Sequence, residues 1–409
     1  MKTPADVVKK KVVALRAAPQ WPDGVNTSGL PRPTYGNVLA AIDHMEISVQ
    51  YDIFRGKMMV AGVDLTGDGE VSDHVVSMLR HLIYDKYGFH PNENNTREAI
   101  TVIGRQHQFN SVADWLDGLE WDGTPRAEKM FSTYLGATNN RLNRAIARKL
   151  MCAMVRRARV PGTKFDHMVI LEGDQDLGKS RFCADLSGGA ELFNDTPVLN
   201  KEPKAQMEAV EGKWVVEIAE LQGLRKAEIE KVKAFVSRTC DRERKAYAHF
   251  RAEVPRTCVF IGTTNAECYL KDVTGNRRFW PIKVARYDHT AFMRDRDQIF
   301  AEAVVLDKNE KLWLDDDNLR ELAVTAQEER MEPNPYTERL GELVGEDASA
   351  RGEERIFAKD VWHHLGIDTL QSQYQAQRIV ADAMRQHGWR AKRLRIGAKV
   401  GHGYYRVVT

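Results

Sequence analysis

Residues 173–180 read Gly-Asp-Gln-Asp-Leu-Gly-Lys-Ser: two glycines bracketing four residues, then Lys-Ser. The preceding run, His167-Met168-Val169-Ile170-Leu171, is apolar enough for a buried strand, and a helix is predicted from about Lys179. A strand, a glycine-bounded loop and a helix start in that order fit the P-loop pattern. The pattern predicts an α/β fold whose core is a P-loop NTPase domain, three layers around a mostly parallel sheet. Glycines let backbone N–H groups converge on phosphate oxygens, and the helix start adds positive potential. The expected nucleotide contacts are Gly173, Asp174, Gln175, Asp176, Leu177, Gly178, Lys179, Ser180 and Arg181. Lys179 would reach the β- and γ-phosphates of ATP, and Ser180 would hold Mg²⁺.

A chain of 409 residues allows two to three domains. We read residues 1–33 as a polar, proline-bearing segment and 34–136 as an α+β N-terminal domain. The ATPase core spans 137–306, a charged helical connector 307–353, and a small basic module 354–409. No window approaches the roughly 18 apolar residues of a membrane span. The start, Met1-Lys2-Thr3-Pro4, lacks the apolar core of a signal peptide. Five cysteines, an odd number without metal-binding spacing, point to free thiols in a reducing cytoplasm.

A second apolar run, Trp214-Val215-Val216, ends in Glu217, with Glu220 three residues on. In a P-loop fold a strand ending in an acid is expected beside the loop strand. Its carboxylate serves the Mg²⁺ shell or polarises the attacking water. An ordinary strand with solvent-facing glutamates would look the same. A third run, Cys258 to Thr264, ends in Asn265. An amide there can position water near the γ-phosphate, or simply form a turn. Then comes Gly275-Asn276-Arg277-Arg278-Phe279-Trp280-Pro281. Arg277 and Arg278 could stabilise charge on a neighbouring subunit's nucleotide, or form a surface ion-pair cluster.

Three stretches together, Trp214 to Leu221, Val259 to Asn265 and Gly275 to Pro281, resemble the virulence-associated E proteins. That family belongs to the superfamily 3 helicases and is related to phage and poxvirus replicative helicase–primases. The resemblance covers roughly residues 110–300. It implies an AAA+-like core, a homo-oligomer that is a hexameric ring, and ATP-driven translocation on single-stranded or forked DNA, encoded by phages, prophages or other mobile elements. One departure is Asp176, where the family usually has glycine; with Asp174 it places two carboxylates in a phosphate loop.

Residues 238–251 are basic and carry aromatics. By resemblance this stretch includes a β-hairpin projecting into the ring channel, with Lys245, His249 and Arg251 gripping DNA phosphates. A solvated charged loop is the alternative. Near the C-terminus, Ile356–Leu365 and Gln371–His387 read as helices and Trp389–Ile396 as a strand. Gly397–Gly403 reads as a turn and Tyr404–Val408 as a return strand. That outline is winged-helix-like. No acid follows Asp382, so Arg393, Arg395 and Lys399 are candidate DNA contacts. A basic cap packed on protein is the alternative.

Asp64–Glu70 resembles the start of a calcium loop, but position twelve is Val75, not Glu. No acid cluster or zinc spacing in 34–136 supports priming chemistry. The sequence therefore predicts an ATP-dependent, ring-forming DNA helicase of a mobile element, working with other replication proteins and no membrane. An initiator or interference protein whose nucleotide site only controls assembly is the second reading. A remodeller of protein substrates fits the basic C-terminus less well.

Overall fold

In the computed structural model, residues 19–62, 69–199, 201–220, 226–243, 251–270, 275–348, 352–367 and 369–407 are described. The chain divides into two units, Met1–Glu329 and Arg330–Thr409. Among the described residues no helix is long and apolar enough to cross a membrane.

The first unit begins with α1 (Tyr35–His44), the hairpin β1 (Ser48–Asp52) and β2 (Lys57–Ala61), α2 (Asp73–Tyr87), α3 (Glu93–Gln106) and β3 (Gln108–Phe109). Their apolar faces form one core, including Val38, Ile42, Leu79, Ile83 and Ile100. A turn closed by Gly56 (φ 68°) joins β1 and β2, which pair antiparallel. A helix α4 (Ser111–Asp117) follows, capped by Asn110, whose side chain accepts from Ala113 N.

Next come α5 (Met130–Leu135), α6 (Arg141–Arg159), β4 (Met168–Glu172), α7 (Lys179–Ser187), β5 (Phe193–Asn194), α8 (Pro203–Val210), β6 (Val215–Ile218) and α9 (Lys226–Val236). They are followed by β7 (Cys240–Glu243), β8 (Ala252–Pro255), β9 (Val259–Thr264), β10 (Phe279–Lys283), α10 (His289–Asp307) and α11 (Asp317–Glu328). Five of these strands form a parallel sheet in the order β10-β4-β9-β6-β5. Its three middle strands, β4, β9 and β6, are buried throughout, as near-continuous apolar runs in a doubly covered parallel sheet should be. The order corrects one expectation: the acid-bearing strand β6 is not beside β4. The strand that leads to Asn265, β9, lies between them.

A buried cation fixes the entry to this sheet. Arg157, on α6, donates Nε to Thr163 O and Nη2 to Phe165 O, both at 3.0 Å, and Nη1 to Cys258 O. Burial pulls its guanidinium down to about 10, and the three carbonyls satisfy what water would otherwise bind. One side chain thus ties the chain entering β4 and β9 to helix α6.

The β7–β8 pair is anchored similarly. Arg256 donates to both oxygens of Asp241, at 2.6 and 2.9 Å, and its guanidinium lies 4.2 Å from the Phe235 ring centre. Asp241→Asn keeps the shape but removes the counter-charge of a buried guanidinium. It should destabilise the protein by about 3–5 kcal/mol, read as a lower urea midpoint.

Residues 307–329, expected as a solvated connector, belong to the core instead. Leu312, Leu314, Leu319 and Ala323 join the main apolar cluster. Lys149 Nζ, buried on α6, donates to Glu310 Oε1 at 2.8 Å and Lys311 O at 2.9 Å. On α11, Leu319 and Ala323 are buried while Asp317, Arg320, Glu321 and Glu328 are exposed.

The second unit contains α12 (Thr337–Gly341), β11 (Glu346–Ala348), β12 (Glu353–Phe357), α13 (Ala358–Leu365), α14 (Leu370–Gln386), β13 (Arg390–Ile396) and β14 (Lys399–Val407). Its sheet is antiparallel, in the order β11-β12-β14-β13. Ile356 and Phe357, expected in a helix, close strand β12. The expected turn 397–403 is shorter, because Lys399 already pairs with Ile396. Gly403 lies within β14 because a Cβ there would meet Ile356 O at 2.2 Å.

Candidate functional site

The loop between β4 and α7 meets the carboxyl ends of β9 and β6. Both bracketing glycines are required by geometry. Gly173 has φ 148°, and a Cβ there would lie 2.5 Å from Val284 O. Gly178 has φ 80°, and a Cβ would press on the Tyr287 ring at 3.0 Å. Asp176 between them has φ 63°. A left-handed backbone at that position explains the glycine usual in the resembling family, and it costs an L-residue about 1 kcal/mol. Asp174, Gln175 and Asp176 all expose their side chains to solvent.

Lys179 opens α7 and is buried. Its Nζ donates to Gly173 O at 2.7 Å, Asp174 O at 2.6 Å and Asn265 Oδ1 at 2.9 Å. Burial draws its ammonium below the usual lysine range, opposed by the charges of Asp174, Asp176 and Glu217. The next residue, Ser180, donates Oγ to Glu217 Oε1 at 2.7 Å, and Thr263 Oγ1 donates to the same oxygen at 2.6 Å. Glu217 is 3% exposed. Its other oxygen, Oε2, is buried without a hydrogen-bond partner.

These residues line one cavity of about 390 Å³, with Gln175 to Arg181 on one side and Glu217, Ala219, Glu220 and Thr263–Asn265 on the other. Glu220 stands just past β6, exposed, with φ 55°. Arg181 is exposed and 3.8 Å from Asp185. The cavity therefore combines backbone amides at a helix start, one lysine, one hydroxyl–carboxylate pair and one exposed acid. That arrangement can hold a phosphorylated ligand with a hard cation. The donors are all oxygen, and the unpartnered Glu217 Oε2 suits Mg²⁺, which keeps waters and phosphate oxygens in its shell. Among the described residues no group of three or more His, Cys, Asp or Glu could hold a metal ion by itself.

The arginine pair lies elsewhere. Arg277 and Arg278 form a short 3-10 turn before β10. Phe279 at the start of β10 pairs with Met168 at the start of β4. The pair is thus about 16 Å, five residues of strand rise, from the loop of its own chain. Arg278 donates to Ser237 Oγ at 3.0 Å and lies 3.9 Å from Asp166. Arg277 is exposed. Its carbonyl contacts His167 Nδ1 at 3.3 Å, and the His167 ring stacks on Trp280 at 4.0 Å.

Lys245 and His249, expected to grip DNA, lie outside the described residues. Arg251 is exposed just before β8. Arg393 and Arg395 are exposed on β13 and Lys399 at the start of β14. The sequence reading missed two residues. Thr263 fixes Glu217, and Tyr287 backs Gly178. Thr263 could have been found from its place two residues before Asn265, on the same side of an extended chain. Tyr287 left no comparable signal.

A family model for the virulence-associated protein E-like domain matches residues 116–332, more than half of the chain. No curated protein matches the sequence. Among solved structures, an A-form apo structure of the NrS-1 C-terminal region aligns with a TM-score of 0.52 and 12% identity, covering 92% of this chain and 100% of that one. Another structure of that region, also 12% identical and with the same coverage, aligns with a TM-score of 0.49. Likeness at this identity concerns the fold.

Proposed function

The chain belongs to the virulence-associated protein E-like family, and from that premise we propose that it is an ATP-dependent, ring-forming DNA helicase serving replication of a phage, prophage or other mobile element. The observation that carries the reading is the coupling of Lys179 to Asn265 and of Ser180 to Glu217 around one cavity. The order of the parallel sheet supports an AAA+-like P-loop core, with β9 between the loop strand and the acid strand. Exposed cations on the C-terminal hairpin, after two helices, support a winged-helix-like DNA-binding module.

Placement supports one set of roles. Backbone amides of 174–180 and the Lys179 ammonium bind the phosphates of ATP. Ser180 and the buried Glu217 would hold the shell of Mg²⁺, which when bound would supply neutralisation of phosphate charge. Glu220, exposed at the cavity edge, is then left to take the proton of the attacking water. Asn265 orients that water. Arg277 serves the nucleotide of an adjacent subunit.

Strand displacement on forked DNA tests the reading. Wild type should unwind with Mg²⁺ and ATP and not without ATP, and Lys179→Ala should not unwind. Wild-type DNA binding without unwinding would favour the second reading, an ATP-controlled initiator or interference protein.

Asp174 and Asp176 are the observation behind that second reading, since they oppose the ligand's charge. Asp176→Gly removes one carboxylate and the left-handed strain. Because the carboxylate is exposed and screened, the gain in nucleotide affinity should be about two- to fivefold, measured by ADP titration with Mg²⁺. Unchanged affinity would mean that the Asp176 charge does not oppose nucleotide binding.

A further inference from the structure

Helix α14 carries a face that its own unit leaves uncovered. Its buried stripe is Ala376, Val380, Ala383 and Met384, packed with Val361, Leu365 and Trp389. Roughly a quarter turn round the helix from that stripe, at spacings of four and three residues, stand Leu370, Tyr374 and Gln377. Leu370 is 85% exposed and Tyr374 82%; Gln371 and Gln377 are exposed as well. The helix starts after α13 and a turn headed by Gly366, with Thr369 capping it through Ser372 N. Its one carboxylate, Asp382, is bound to Arg385.

The neighbouring hairpin has a different character. Arg390, Lys392, Arg393 and Arg395 are exposed along β13. No acidic residue follows Asp382 in the chain. One unit thus presents amides, an aromatic ring and an aliphatic group on helix turns, Leu370 to Gln377, that carry no charged residue, together with a strand of cations.

We propose that α14 enters the major groove of duplex DNA and reads its sequence, while the β13–β14 hairpin holds flanking phosphates. This rests on the reading that the C-terminal unit binds DNA. Cations bind any sequence, because every nucleotide carries the same phosphate. Base edges need groups like those of Gln371 and Gln377, whose amides donate and accept together and so match adenine N6 and N7. Leu370 and the Tyr374 ring supply apolar contact for thymine methyl groups. They lie in the first turns of the second helix after a short turn, the part that reaches base edges in helix-turn-helix docking.

Selection of the full-length chain on a pool of duplexes with a randomised centre tests this. An enriched motif containing A·T pairs is expected. Gln371→Ala with Tyr374→Ala should lower preference for the enriched duplex over a scrambled one by about tenfold or more. Affinity for the scrambled duplex and its salt dependence should not change. Arg393→Ala with Arg395→Ala should weaken both duplexes equally and flatten the salt slope. Duplex binding without an enriched motif overturns the inference and leaves the DNA-binding reading intact. No duplex binding at all overturns both. If Tyr374→Glu changes the sedimenting mass while sequence preference survives, the face joins copies of this chain and the inference fails.

Discussion

Lys179→Ala should lower ATP turnover by about a hundred- to a thousandfold, the loss seen when one preorganised charge-stabilising donor is removed. The geometry leaves no substitute. The Lys179 ammonium sits between two loop carbonyls and Asn265. Between Gly173 and Ser180 it is the one cationic side chain. Arg181, at the cavity edge, is exposed and lies 3.8 Å from Asp185. Lys179→Arg should fail nearly as badly, because a planar fork cannot reproduce three bonds converging on one nitrogen. The measurement is steady-state phosphate release, with circular dichroism as the fold control. Turnover within threefold of wild type would remove the loop from the chemistry.

Arg277→Ala should be as severe, at about a thousandfold or more, if it serves a neighbouring nucleotide. The sheet makes this prediction specific. The arginine turn stands at the amino end of β10, the opposite end of the sheet from its own loop. Within one chain it has no route to the phosphates. Arg278 is engaged with Ser237 and Asp166, so Arg278→Ala should be milder. Mixing Arg277→Ala with Lys179→Ala protein is the decisive measurement. One variant keeps an intact loop, the other an intact arginine, so mixed assemblies contain complete sites and phosphate release should recover. Full activity of Arg277→Ala alone would exclude the role.

Local pattern carried much of this. The runs at 168–172, 215–218 and 259–264 are short, apolar and bounded, so their strands were legible from composition alone. The helix start at Lys179 was legible too, because its signal lies within a few residues. Strand order was not. Parallel partners are chosen across long connections, and nothing near Glu217 announces that β9 will intervene. Glu93–Gln106 was hidden by its asparagine-rich start, although Asn92 is its cap. In the C-terminal unit, Gly401 and Gly403 looked like turn residues. Their absent side chains instead admit Phe357 and Ile356 from β12, a contact no local pattern displays. The leucines of 312–319 were masked by the charges around them.

The position of β9 has a mechanical consequence. Thr263, its penultimate residue, grips Glu217, and Asn265, one step past its end, grips Lys179. Two residues of extended chain span about 6.6 Å, so a single strand acts as the ruler between cation and acid. That strand is hydrogen-bonded on both edges, and its amides should be among the last in the protein to exchange with deuterated solvent. The calibration of the site then survives loosening of the loops around it, and is lost only when the middle of the sheet opens.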